Sequence, residues 1–159
     1  MATDIKIHRA TVAEAEEIAQ MVGELLAEIM NTIGVQAFNF SVDDTTARLK
    51  DFIDCEKYGV FVAYDPDHRA IGFVTLCESY ALYAEGAFGT VPELYVRPEH
   101  RSKDVGLRLI STAKSYGVAR GWKRLEVTTP PLPQFDKTLA FYEREGFTIT
   151  GGRKLKLLL

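Results

Sequence analysis

Little in this chain marks a specialised environment. Its 159 residues hold two cysteines, Cys55 and Cys77, in different expected elements and without a C-x-x-C spacing. Reduced, partly buried thiols are therefore expected rather than a disulfide framework or a thiolate metal site. No apolar run approaches the roughly 20 residues of a membrane span. The N-terminus lacks a basic stretch followed by an apolar one, so no export signal is visible and a cytoplasmic location is the default. There is no excess of positive charge. With 19 Lys and Arg against 22 Asp and Glu, the net charge of -3 argues against general nucleic-acid binding, which leaves a basic footprint. His8, His68 and His100 fall in a strand, a turn and a basic loop, with neither metal-ligand nor triad spacing, so no metal site is expected. Ser111 and Thr112 lack the context of a nucleophile elbow. Internal repeats, low-complexity tracts and linkers are absent from the sequence as well.

What remains is an ordinary globular composition, 47% apolar and 26% charged, sized for a single domain over 1–159 with one well-buried core. Ile5 to His8 alternates like a short strand. Thr11 and Glu14 have capping-box spacing, and Val12, Ala15, Ile18, Ala19, Val22, Leu25, Leu26 and Ile29 keep one apolar helical face. Ser41 and Asp44 repeat the capping spacing before a second helix that ends near Asp54. From Tyr58 the period changes. Val60 to Tyr64 and Ala70 to Ser79 read as a hairpin across Asp65-Pro66-Asp67. Phe88 to Val96 is a further strand, in which Pro92 cannot donate to a ladder and so implies a bulge. Val105 to Arg120 is helical, with Gly121 as its C-cap signal. Arg124 to Thr128 is a strand, Asp136 can cap a helix running to Glu145, and Phe147 to Leu159 is a terminal hairpin across Gly151-Gly152. The expected order is β-α-α-β-β-β-α-β-α-β-β, an α/β arrangement of about seven strands and four helices.

Between the fourth strand and the third helix the chain reads Arg97-Pro98-Glu99-His100-Arg101-Ser102-Lys103-Asp104-Val105-Gly106. A helix N-terminus carries unpaired N–H groups and partial positive charge, so it suits an anion, and Arg101 and Lys103 add side-chain charge. On these residues alone, a plain strand-helix connection explains the run equally well.

Three features taken in order carry a resemblance. Glu93-Leu94-Tyr95-Val96-Arg97-Pro98, then Arg101-Ser102-Lys103-Asp104-Val105-Gly106, is similar to the cofactor signature (Gln/Arg)-x-x-Gly-x-(Gly/Ala) of the GNAT superfamily of N-acyltransferases. Phe141-Tyr142-Glu143-Arg144-Glu145-Gly146-Phe147 resembles that family's helix-end motif, and the element order matches over nearly the whole chain. The resemblance implies a twisted, mixed but mostly antiparallel sheet whose fourth and fifth strands splay apart. It further implies acetyl-CoA as acyl donor, with pantetheine along Leu94, Tyr95 and Val96. The pyrophosphate would rest on Arg101, Ser102, Lys103, Asp104, Val105, Gly106 and Leu107. Asp104 stands where the signature has its first glycine. If the backbone there needs a positive φ, Asp costs about 1–2 kcal/mol. A carboxylate about 5 Å from a phosphate would repel it by about 3 kcal/mol at an effective dielectric near 20.

An amine acceptor is mostly protonated at neutral pH, so a proton must leave before nitrogen attacks a thioester. Glu93 on the fourth strand is the candidate base, directly or through water, with a structural strand carboxylate as the equal alternative. Tyr142 resembles the family tyrosine that protonates the departing thiolate; ordinary aromatic packing is its alternative. Acceptor contacts are expected from Phe38, Glu78, Tyr80, Tyr83 and Glu85, an aromatic and acidic set suited to an amine with an apolar body. Core packing or a homodimer would use the same aromatics. The expected activity is acetyl transfer from acetyl-CoA to a primary amine of a small molecule or peptide. The competing expectation is a non-catalytic acyl-CoA-binding module with a degraded phosphate loop.

Overall fold

The periodicities become elements in a computed structural model that describes residues 4–159. Strand β1 (Lys6–Arg9) leads to Thr11, whose Oγ1 accepts from Ala13 N at 3.3 Å while its own N–H donates to Glu14 Oε1 at 3.1 Å. That reciprocal cap starts a short 3-10 turn continuous with helix α1 (Ala15–Ile33), which ends where Gly34 turns left-handed at φ 70°. Ser41 Oγ accepts from Asp44 N at 3.3 Å and opens α2 (Val42–Asp54). Strands β2 (Gly59–Tyr64), β3 (Ala70–Ala81), β4 (Gly86–Val91) and β5 (Leu94–Val96) follow, then α3 (Val105–Ala119), β6 (Leu125–Val127) and α4 (Asp136–Arg144).

The sheet runs β1-β2-β3-β4-β6, with β5 on β3 beyond the end of β4. Its pairs are antiparallel except β4–β6, which is parallel. One face buries Val60, Val62, Phe73 and Tyr95 under Ile18 and Met21 of α1 and Leu49 of α2. The other buries Val74, Leu76 and Val91 under Val105, Leu109 and Ala113 of α3, with Trp122 at the edge. Both helical layers are amphipathic elements that can bury their stripe only against the sheet. No helix among the described residues is long and apolar enough to cross a membrane.

The expected bulge lies at Pro92–Glu93. Between the pairs Cys77↔Thr90 and Val74↔Leu94, β3 advances three residues while its partner advances four. Two residues therefore oppose Thr75 alone, which bends the strand. Past the bend only β4 stays beside β6, at Gly89↔Leu125, Thr90↔Glu126 and Val91↔Val127; β5 leaves β6 and keeps β3. The expected splay follows from that geometry.

Three expectations need correction. The long fourth strand is divided by its bulge into β4 and β5. The terminal hairpin over 147–159 does not form: the segment has no strand, and Leu155 is 90% exposed. Two adjacent glycines carry a large backbone entropy, and an isolated two-stranded hairpin is marginal in water. The sheet consequently has six strands rather than seven. Asp136 is the first residue of α4 and makes no capping hydrogen bond; Phe135 holds the cap position.

Trp122 fastens the α3 face to the sheet. Its indole Nε1 donates to Glu78 at 2.7 Å, and its ring lies so close to Gly89 and Gly117 that a Cβ added there would sit 2.2 Å and 2.9 Å from it. Gly89→Ala is therefore expected to cost about 1–3 kcal/mol through overpacking, read as a lowered midpoint in thermal or urea unfolding. An unchanged midpoint would show that the ring moves aside freely.

Candidate active site

Thr75 N donates to Glu93 O at 2.9 Å and Arg97 N donates to Ile71 O at 2.8 Å. Because strand residues alternate the side to which they present their backbone groups, the N–H and C=O of Leu94 and Val96 face away from β3, into the gap left by β6. A cavity of about 1020 Å³ fills that gap. Leu94, Tyr95 and Val96 form one wall, Glu126, Val127 and Thr128 the opposite one, and the start of α3 and the inner face of α4 the end.

The loop into α3 is bent by two left-handed residues, Ser102 at φ 61° and Asp104 at φ 65°. Asp104 thus adopts the conformation that favours glycine, and its side chain makes no capping bond. Arg108 N is already bonded back to Asp104 O at 3.0 Å. The preceding N–H groups of the first turn, at Val105, Gly106 and Leu107, have no intrahelical acceptor, and these three residues line the cavity beside Ser102 and Asp104. That is a socket for an anionic group.

Arg101 is spoken for within the fold. Its Nε donates to Val96 O at 2.8 Å, its Nη2 pairs with Glu28 Oε1 at 2.6 Å, and its guanidinium lies 5.6 Å from the Tyr95 ring centre. Arg97 makes a two-pronged pair with Glu24 at 3.1 and 3.0 Å and donates to Ala70 O at 2.8 Å. The Tyr95 hydroxyl donates to Glu24 at 3.2 Å, and burial together with that carboxylate pushes its pKa up to about 12. Helix α1 is tied in this way to Tyr95 of β5 and to the loop that follows the strand. The basic patch read from the sequence is correspondingly reduced: two of its arginines are neutralised by α1.

Glu93 sits at the bulge, partly buried; its carboxylate accepts from Thr75 Oγ1 at 2.6 Å, and the Tyr58 hydroxyl also favours its charged form. Burial raises its pKa above the ordinary carboxylate range, against the lowering effect of those two hydroxyls. Tyr142 is buried on the inner face of α4, edge-on to Phe141 and Phe147 at 5.3 and 5.4 Å. Burial raises its phenol well above the usual value, so it stays a neutral O–H donor at physiological pH. Both residues line the same cavity.

Of the other residues expected at the site, Phe38 lines the cavity beside Leu25 and Ile29. Lys103 is exposed and stands outside the lining. Glu78, Tyr80, Tyr83 and Glu85 are also outside it, in the distal half of the β3–β4 hairpin. Glu78 is held by Trp122, Tyr80 and Arg120; Glu85 pairs with Lys123 at 3.8 Å. Tyr80 and Tyr83 are 73% and 76% exposed. Sequence reasoning passed over Glu24, Glu28, Tyr58 and Thr75. Glu24 and Glu28 are spaced four apart on a helix, as Arg97 and Arg101 are in the loop, and that matched spacing was the available signal. Tyr58 and Thr75 gave none, because their role exists only across the bulge.

Residues 56–149 match the family described as acetyltransferase (GNAT) domain. The chain is 31% identical over 86 residues to an uncharacterized N-acetyltransferase of Archaeoglobus fulgidus, a match spanning 53% of this chain and 57% of that relative. In fold it is similar to an integron cassette protein from the mobile metagenome of Cole Harbour Salt Marsh, with a TM-score of 0.79 at 19% identity over 99% of this chain and 91% of the other. It is likewise similar to an aminoglycoside acetyltransferase from an uncultured soil metagenomic sample, with a TM-score of 0.75 at 17% identity over 99% and 97%. The protein belongs to the GNAT acetyltransferase family.

The Asp104 carboxylate beside the socket opposes anion binding, and its left-handed backbone is strained. Asp104→Gly should tighten acetyl-CoA binding about tenfold by calorimetry, an advantage of about 1.4 kcal/mol. An unchanged or weaker affinity would contradict this view of the loop.

Proposed function

We propose that the protein transfers an acetyl group from acetyl-CoA to a primary amine of a small molecule or peptide, by direct attack within a ternary complex. The observation that carries this reading is the convergence of four things on one cavity: the outward backbone groups of Leu94 and Val96, the open first turn of α3, Glu93, and Tyr142. Acetyl-CoA would supply an activated acetyl thioester. The amide-rich pantetheine arm suits the N–H and C=O of Leu94 on the open edge of β5, and its diphosphate suits the N–H groups of residues 105–107. Glu93 takes the proton from the attacking amine; its burial brings its pKa nearer to neutrality, where a general base works best. The N–H of Val96, directed into the gap, polarises the acetyl carbonyl. Tyr142 donates its phenolic proton to the departing sulfur. The acceptor enters on the α1–α2 side, where Leu25, Ile29 and Phe38 offer an apolar wall. Acetyltransferases of similar fold named for aminoglycosides and for ribosomal-protein alanine are consistent with an amine acceptor.

Release of free thiol from acetyl-CoA in the presence of a panel of aminoglycosides, polyamines and peptide N-termini tests the proposal. Amine-dependent thiol release is the expected result. Acetyl-CoA binding without any release would favour the non-catalytic module instead. Glu93→Gln should lower kcat/KM by about 10²–10⁴-fold. In the unaltered enzyme, activity should fall with acidity through a pKa above the ordinary Glu value of about 4.3, because protonated Glu93 cannot accept a proton. Tyr142→Phe should slow turnover at saturating cofactor without abolishing it, since a thiolate is already a fair leaving group; full activity would remove Tyr142 from the mechanism.

A further inference from the structure

We propose that Tyr58 and Thr75 are positioning residues that hold the Glu93 carboxylate at the bulge and aim it into the cavity. The inference rests on the reading of Glu93 as the proton acceptor and adds the residues that make it one.

Thr75 is 1% exposed, a polar side chain in an otherwise apolar stretch of β3. It meets Glu93 through backbone and side chain alike. Its N–H donates to Glu93 O at 2.9 Å, its Oγ1 accepts from Glu93 N at 3.0 Å, and its hydroxyl lies 2.6 Å from Glu93 Oε1 and 3.4 Å from Glu93 O. One residue thereby closes both backbone groups of the bulge and grips the carboxylate. Tyr58 brings a second hydroxyl to the neighbourhood of the carboxylate, where it favours the charged form. It is fixed in turn by α2, with its N–H donating to Phe52 O at 3.1 Å and its ring 5.0 Å from that of Phe52.

The groups that act on Glu93 among the described residues are hydroxyls. Tyr58 approaches from the start of β2. Thr75 and Cys77 come from β3, with the Cys77 thiol bonded to Thr90 of β4 at 2.8 Å, and Tyr142 shares the cavity. Lys57, next to Tyr58, turns away to Asp51 at 3.9 Å. Among the described residues no ion pair reaches Glu93. A bulge needs only its backbone groups satisfied, and a glutamine would do that without the cost of a partly buried charge. Two neutral donors around a carboxylate instead fix its direction and leave it able to take a proton, as a base requires.

The test separates the two readings. The protein is labelled with ¹³C at Glu carboxyl carbons, the Glu93 signal is assigned by its loss in Glu93→Gln, and its titration is followed in the unaltered protein and in Tyr58→Phe, Thr75→Val and Thr75→Ser. A lost hydroxyl removes a bond to the charged form, so the Glu93 pKa should rise by about one unit in Tyr58→Phe and in Thr75→Val, while Thr75→Ser restores it. The acid limb of kcat/KM for acetyl-CoA with the best amine of the panel should move up by the same amount. Glu93 titrating identically in all variants would overturn the inference whatever Glu93 does. Shifted titrations with full activity in Glu93→Gln would overturn the reading of Glu93 as base, leaving the grip without a catalytic purpose. Should Thr75→Val fail to fold, Tyr58→Phe, which keeps the ring against Phe52, decides the matter alone.

Discussion

The bulge that sets Pro92 and Glu93 against Thr75 is the constraint from which the rest of the site follows. A proline cannot donate to a ladder, so the strand must break step at that point, and the extra residue bends it away from β6. The bend leaves the backbone of Leu94 and Val96 without a neighbouring strand and opens the cavity. It also turns Glu93 onto the α1–α2 face, where Tyr58 and Thr75 meet it. A straight strand would seal the gap and leave neither an unpaired edge nor a carboxylate in the cavity.

A second constraint is electrostatic. Glu24 and Glu28 of α1 draw Arg97 and Arg101 onto themselves, and Arg101 also covers the carbonyl of Val96. These pairs are partly exposed, so each contributes modestly to stability. Their larger consequence is geometric. Helix α1 lines the cavity with Leu25 and Ile29 and, through the same ion pairs, holds the loop before α3, so the two halves of the cavity share one support. Positive potential at the loop then depends on the helix terminus more than on Arg101.

Much of this was legible in the sequence, and for identifiable reasons. The four helices and the β2–β3 hairpin were readable because amphipathic period, capping spacing and the Asp65-Pro66-Asp67 turn agree with one another. Pro92 announced the bulge, and the run from Arg101 to Gly106 announced the socket; the observed φ of Asp104 matches what a signature glycine would supply. The terminal segment misled, since alternation after Gly151-Gly152 promises a strand only where a partner strand stabilises it. The acceptor side misled more. Glu78 has the composition of a ligand-binding acid, yet Trp122 claims it, a contact between residues 44 apart that no local pattern reveals. Thr75 and Tyr58 were silent for the same reason, one an ordinary residue of β3 and the other just before β2 until the bulge brings Glu93 near them.

A crystal structure of the protein with CoA tests the central claim most directly. The account predicts the pantetheine arm along the open edge of β5, with an amide bonded to the N–H and C=O of Leu94 and the diphosphate on the N–H groups of residues 105–107. CoA bound elsewhere, or a diphosphate held away from the Ser102–Leu107 turn while the edge of β5 stays unpaired, would contradict it.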